Sequence, residues 1–218
     1  MIQELFYLVA KEFRLEWRQK SVVTGILIYV ISTVFICYLT FRQVIDIPTW
    51  NALFWIIMVF AAVNAVARSF MQESRGVQLY YYTLLNPAMV IISKIIYNTS
   101  LLMIVALVNF LFYSLFLGNE VSDTWMFILG LLLGSSGLAA TLTLISAVAS
   151  RANSTPSMMA ILSFPILIPM LMTIMRFSKN AIDGIGWVIN GNYALVLLAL
   201  FGMVVTLSYL LFPYLWRD

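Results

Sequence analysis

The sequence predicts an all-α integral membrane protein. It should have six transmembrane helices, an N-terminal amphipathic helix in the interface, and a cytoplasmic helical segment between helices 2 and 3. Three observations carry this. Hydrophobic residues fill 63% of the 218 positions and charged residues only 10%, where a soluble domain carries about 25% charge. Apolar runs of roughly twenty residues recur, the length that a hydrocarbon core of ~30 Å requires. The basic residues fall mostly in alternate connections, as the positive-inside rule describes.

Residues 3–19 form the amphipathic helix. Phe6, Val9, Ala10, Phe13 and Trp17 recur at helical spacing, with Glu4, Lys11, Arg14 and Arg18 on another face. Phe6, Phe13 and Trp17 are its expected membrane-facing anchors. The first span runs about Val22–Phe41, bracketed by Lys20 and Arg42. After a short link holding Asp46 and Pro48, the second runs about Trp50–Ala67. Asn64, near its end, is expected to hydrogen-bond across helices.

The longest polar interruption is Arg68–Pro87, RSFMQESRGVQLYYYTLLNP. Arg68–Ser74 can make two helical turns, and Gly76 breaks or bends them. Val77, Tyr80, Tyr81, Leu84 and Leu85 then follow a helical period, and the Tyr80–Tyr82 run suits the headgroup layer. Asn86-Pro87 starts a helix, with Asn as N-cap and Pro at the first position. That third span reaches about Leu117, longer than the core needs, so Lys94 is expected to extend back to the headgroups.

The link Gly118–Thr124 is acidic, and Asp123 or Ser122 can cap the fourth span, about Trp125–Ala149. Gly130 and Gly134 make a GxxxG pair, extended by Gly137 and Thr141, which suits close helix packing. Thr155-Pro156 starts the fifth span, ending about Met175 and bent by Pro165 and Pro169. Its methionines are read as flexible filler. Residues 176–192 are expected to be the longest loop on the opposite side, followed by a last span, about Tyr193–Trp216.

Lys11, Arg14, Arg18, Lys20, Arg68, Arg75, Lys94, Arg151 and Arg217 lie on one side of such a bundle; Arg42, Arg176 and Lys179 lie on the other. The termini and the 68–87 segment are therefore expected in the cytoplasm. No cleavable signal peptide is evident.

Several functions are excluded or disfavoured. With no histidine, imidazole bases and ligands are absent, so Gly134-Ser135-Ser136-Gly137 is not half of a Ser–His site. The single cysteine, Cys37, forms no internal disulfide and reads as a packing residue. No G-x-x-x-x-G-K-[ST] nucleotide loop occurs. No span carries a midplane charge of the kind that ion-coupled transporters use, and no polar pore lining is evident. Nothing suggests a nucleic-acid partner. What fits is a membrane component moved by something else, with membrane lipid as its solvent and the 68–87 segment as its handle.

The stretch Phe70-Met71-Gln72-Glu73-Ser74-Arg75-Gly76, followed by Leu84-Leu85-Asn86-Pro87 and Lys94, resembles the coupling-helix region of ABC-2 type transporter permeases. More narrowly, ARSFMQESRG with LYYYTLLNP, and KEFRLEWRQK near the start, resemble the CcmB (haem exporter protein B) family of cytochrome c maturation. The likeness covers essentially the whole chain. It implies a single permease domain, 1–218, of the ABC-2 type in the bacterial inner membrane. It also implies that the chain is not itself an enzyme, and that ATP is hydrolysed by a separate CcmA-like ATPase. CcmC-, CcmD- and CcmE-like proteins, and a second copy of the permease, are the further partners implied. Haem is the implied cargo, or else the implied action is release of a haem-loaded chaperone; no cofactor is bound directly. The residues implied to meet the ATPase are Arg68, Phe70, Met71, Glu73, Arg75, Gly76 and Leu79. Glu73 would pair with a basic residue, Arg68 and Arg75 with carboxylates, and Phe70, Met71 and Leu79 would be apolar anchors. The rival readings are another ABC-2 permease, exporting a lipid, glycan or drug, and a scaffold that transports nothing.

Overall fold

The structure is a computed structural model and describes residues 2–18, 20–41, 45–66, 86–151 and 156–217. Among these there are seven helices and no strand: α1 (Ile2–Arg18), α2 (Lys20–Phe41), α3 (Ile47–Val66), α4 (Pro87–Leu117), α5 (Thr124–Arg151), α6 (Pro156–Ile182) and α7 (Trp187–Arg217). Five of them (α2, α3, α4, α5 and α7) contain stretches long and apolar enough to cross a membrane.

The ends of these helices have local causes. The carboxamide of Asn86 accepts from the Ala88 amide at 3.1 Å and caps α4, with Pro87 in the first turn. α4 stops at Gly118, whose φ of 86° is open to glycine and costly for other residues. The Asp123 carboxylate accepts from the Met126 amide at 3.0 Å and caps α5. The Asp46 carbonyl accepts from Trp50 at 2.9 Å and opens α3.

α5 is the central helix. Within its membrane-length window 78% of the residues are buried, against 17% for α2 and 22% for α7. It packs on α3, α4, α6 and α7, while α2 lies outside against α3 and α4. The main core is built around Trp50, Phe54, Trp55, Tyr113, Phe127 and Phe177; a smaller cluster joins Val90, Ile91, Ile95, Ala140 and Leu144 to Val204 and Phe212. Apolar side chains on the outside, such as Ile28, Ile36, Leu111, Leu195 and Met203, are what a lipid solvent permits.

One expectation is corrected. Residues 176–192 are not a long loop. α6 continues to Ile182 and α7 begins at Trp187, so the connection is 183–186. The charges of Arg176 and Lys179 look like a loop in sequence, yet Phe177 and Ser178 between them, and Ala181 and Ile182 just beyond, are buried. Protein contacts hold these turns helical.

The bundle has two unlike ends. At one lie the end of α2 and the start of α3, and the short links 118–123 and 183–186 join helices tightly. At the other lie the C-terminus of α3, the start of α4, the junction of α5 and α6, the end of α7, and α1. α3 thus ends and α4 begins at this second end, with residues 67–85 between them in the sequence.

Candidate functional site

The short-link end is a polar network set in aromatic packing. The Trp55 indole donates to Ser178 Oγ at 2.8 Å, Ser178 bonds Asn51 Oδ1 at 2.8 Å, and Asn51 Nδ2 donates to the Met175 carbonyl at 2.9 Å. This ties α3 to α6. Asn190 of α7 donates to the Phe177 carbonyl at 3.1 Å. The Tyr113 hydroxyl of α4 donates to the Trp50 carbonyl at 2.9 Å. Trp50 stacks on Phe54 and meets Tyr113 and Phe127 edge-on, with ring centroids 4.8 to 5.9 Å apart. In an apolar solvent each such bond keeps a buried polar group satisfied. Four helices, α3, α4, α6 and α7, are thus fixed to one another here.

The glycine row of α5 faces inward. A Cβ on Gly130 would lie 2.6 Å from the Phe177 ring, one on Gly134 2.8 Å from Trp55, and one on Gly137 2.5 Å from the Met170 methyl. α3 and α6 approach α5 at these points, closer than any side chain on α5 would allow. Asn64, expected to bond across helices, is instead exposed on α3. That role falls to Asn51, Asn190 and Asn98, the last donating to Thr143 Oγ1 of α5 at 2.9 Å. One further amide, Asn109 of α4, is fully buried with neither Nδ2 nor Oδ1 bonded to protein.

At the opposite end α1 lies along the first turns of α4. Lys94 is only 1% exposed, so it does not extend to the headgroups as its place in the sequence suggests. Its ammonium forms an ion pair with Glu12 Oε1 of α1 at 3.6 Å, and the same oxygen accepts from Lys11 at 3.0 Å. One turn on, the Phe13 ring meets Tyr97 edge-on, centroids 5.1 Å apart. Of the expected interfacial anchors, Phe6 is largely exposed, Phe13 packs on α4 at one edge, and Trp17 lies on α1. The residues singled out for contact with an ATPase (Arg68, Phe70, Met71, Glu73, Arg75, Gly76 and Leu79) lie outside the described residues. Glu12 carries no motif. What could have found it is the rule that a lysine within an apolar helix needs a counter-charge.

A closely packed bundle of long apolar helices, tied at one end and carrying an amphipathic helix at the other, is a multi-pass membrane protein. The sequence model for the family described as CcmB protein matches residues 3–214, and the chain belongs to that family. Its members are the permease components of the ABC system of cytochrome c biogenesis. No curated protein matches the chain.

Proposed function

We propose that this chain is the membrane half of an ABC transporter in cytochrome c biogenesis, and that a separate CcmA-like ATPase drives it through residues 68–87. The observation that carries the reading is the family match over residues 3–214. The fold is compatible with it. Residues 67–85 join α3 to α4 directly, so a force applied there reaches two spans that pack on the central helix. Glu73, flanked by Arg68 and Arg75, would meet complementary charges in the ATPase, with Phe70, Met71 and Leu79 as anchors and Gly76 as the bend.

In this reading α6 is the sixth span. It is 27 residues long and continues through Pro165 and Pro169. The charge asymmetry supports a cytoplasmic side for α1, residues 67–85 and both termini. The short-link end then faces the periplasm. CcmC-, CcmD- and CcmE-like proteins are the expected neighbours, and a second permease copy the expected mate. The work done by ATP is haem export or release of a haem-loaded chaperone; haem in either case is cargo.

The test is complementation. In cells lacking this gene, the wild-type chain restores holocytochrome c and Glu73→Arg does not, at equal membrane abundance. Full restoration by Glu73→Arg would remove the coupling role, and failure of the wild type would remove the reading itself.

A further inference from the structure

The ion pair between Glu12 and Lys94 lies outside the segment assigned to the ATPase. A lysine in the first turns of an apolar helix ordinarily extends its ammonium to the membrane surface. Here α1 covers it. The Lys94 side chain is 2% exposed and that of Glu12 13%. Taking both groups from water carries a desolvation cost that their mutual attraction must offset. α1 therefore cannot leave α4 without taking away a counter-charge from a buried ammonium. The edge-on contact of Phe13 with Tyr97 adds an apolar hold one turn further on.

The position of this contact matters. Lys94 and Tyr97 lie about 10 and 15 Å along α4 from Pro87, at 1.5 Å per residue, and only the cap residue Asn86 separates Pro87 from residues 67–85. Movement delivered through that segment enters α4 at the turns that hold α1. An amphipathic helix held only by lipid would slip. One held by a buried ion pair moves with its partner.

We propose that Glu12 and Lys94 are positioning residues that latch α1 to α4. α1 thereby moves as one body with the start of α4 and shares its displacement during transport. The inference deepens the function proposed above and rests on it for the link to transport; the latch itself is testable without it.

The experiment uses the full chain in membrane vesicles, in a Cys37→Ser background with Tyr97→Cys as reporter. Tyr97 is buried beside α1, so a water-soluble maleimide should label the reporter slowly. Glu12→Gln, which keeps the side chain's shape but removes the counter-charge, should speed labelling at least fivefold. Lys94→Met, which removes the buried charge instead, should do the same and guards against misfolding of the first variant. The exchanged pair Glu12→Lys with Lys94→Glu should return labelling to within twofold of the starting rate. Holocytochrome c formation, measured with Tyr97 intact, should fall at least fivefold in each single variant and recover in the exchange.

Unchanged labelling in both single variants would overturn the latch. Faster labelling with unchanged holocytochrome c would overturn its role in transport while leaving the proposed function standing. Failure of the wild-type chain to support holocytochrome c would refute the proposed function and the transport role together, and labelling would still decide whether the latch exists.

Discussion

Trp55 and Ser178, 123 positions apart, are joined by a hydrogen bond of 2.8 Å from the indole nitrogen to the hydroxyl. Both are fully buried. Ser178 also bonds Asn51, so one hydroxyl connects two groups of α3 to α6. Ser178→Ala should destabilise the detergent-solubilised protein by about 1–3 kcal/mol, the cost of leaving buried polar groups without a partner. Thr40→Ala is the control. Thr40 is exposed and bonds only its own helix, to the Ile36 carbonyl, so its loss should stay within about 0.5 kcal/mol. Thermal unfolding of both variants checks the contrast.

The fixed indole makes a second prediction. At Gly134 an added Cβ would press on the Trp55 ring at 2.8 Å, and that ring is held by its bond to Ser178. Gly134→Ala should therefore cost about 1–3 kcal/mol through overpacking. Gly137→Ala meets the methyl end of Met170, a flexible side chain able to turn aside. Its cost should be clearly smaller. Equal melting points for the two variants would show that the α3 to α5 approach is looser than the geometry implies.

Asn109 gives a change in the opposite direction. Its amide is fully buried and makes no hydrogen bond to protein. Asn109→Leu keeps roughly the volume and removes the unmet polar atoms. It should raise stability by about 1–3 kcal/mol. A drop in stability would instead indicate that water or a bound molecule satisfies the amide in the membrane. A rise in stability with lost holocytochrome c would mark Asn109 as functional.

Much of this was written plainly in the chain. Asn86-Pro87 and Gly118 bracket α4 because capping and positive φ are local requirements, met by residue types that few other roles demand. Long apolar runs announce the spans for the same reason. The C-terminal end of α6 and the start of α7 were not legible. Arg176 and Lys179 look like loop residues, and only the burial of Phe177 and Ser178 between them reveals a helix. The partner of Lys94 was equally hidden. A counter-charge is required by physics, but its address on α1, 82 positions earlier, depends on how α1 folds back. Asn64 misled for the complementary reason: the amides that cross-link helices are chosen by packing, and Asn51, Asn98 and Asn190 are the ones that face neighbours.

The central claim is that a partner ATPase drives this chain through residues 68–87. Copurification from detergent tests it most directly, with wild type and Glu73→Arg compared for bound ATPase and its rate of ATP hydrolysis. The account predicts that wild type brings down an ATPase, and that the charge reversal loses it or uncouples its hydrolysis. An ATPase absent from the wild-type preparation, or bound and hydrolysing equally with Glu73→Arg, would contradict the claim and favour a scaffold that transports nothing.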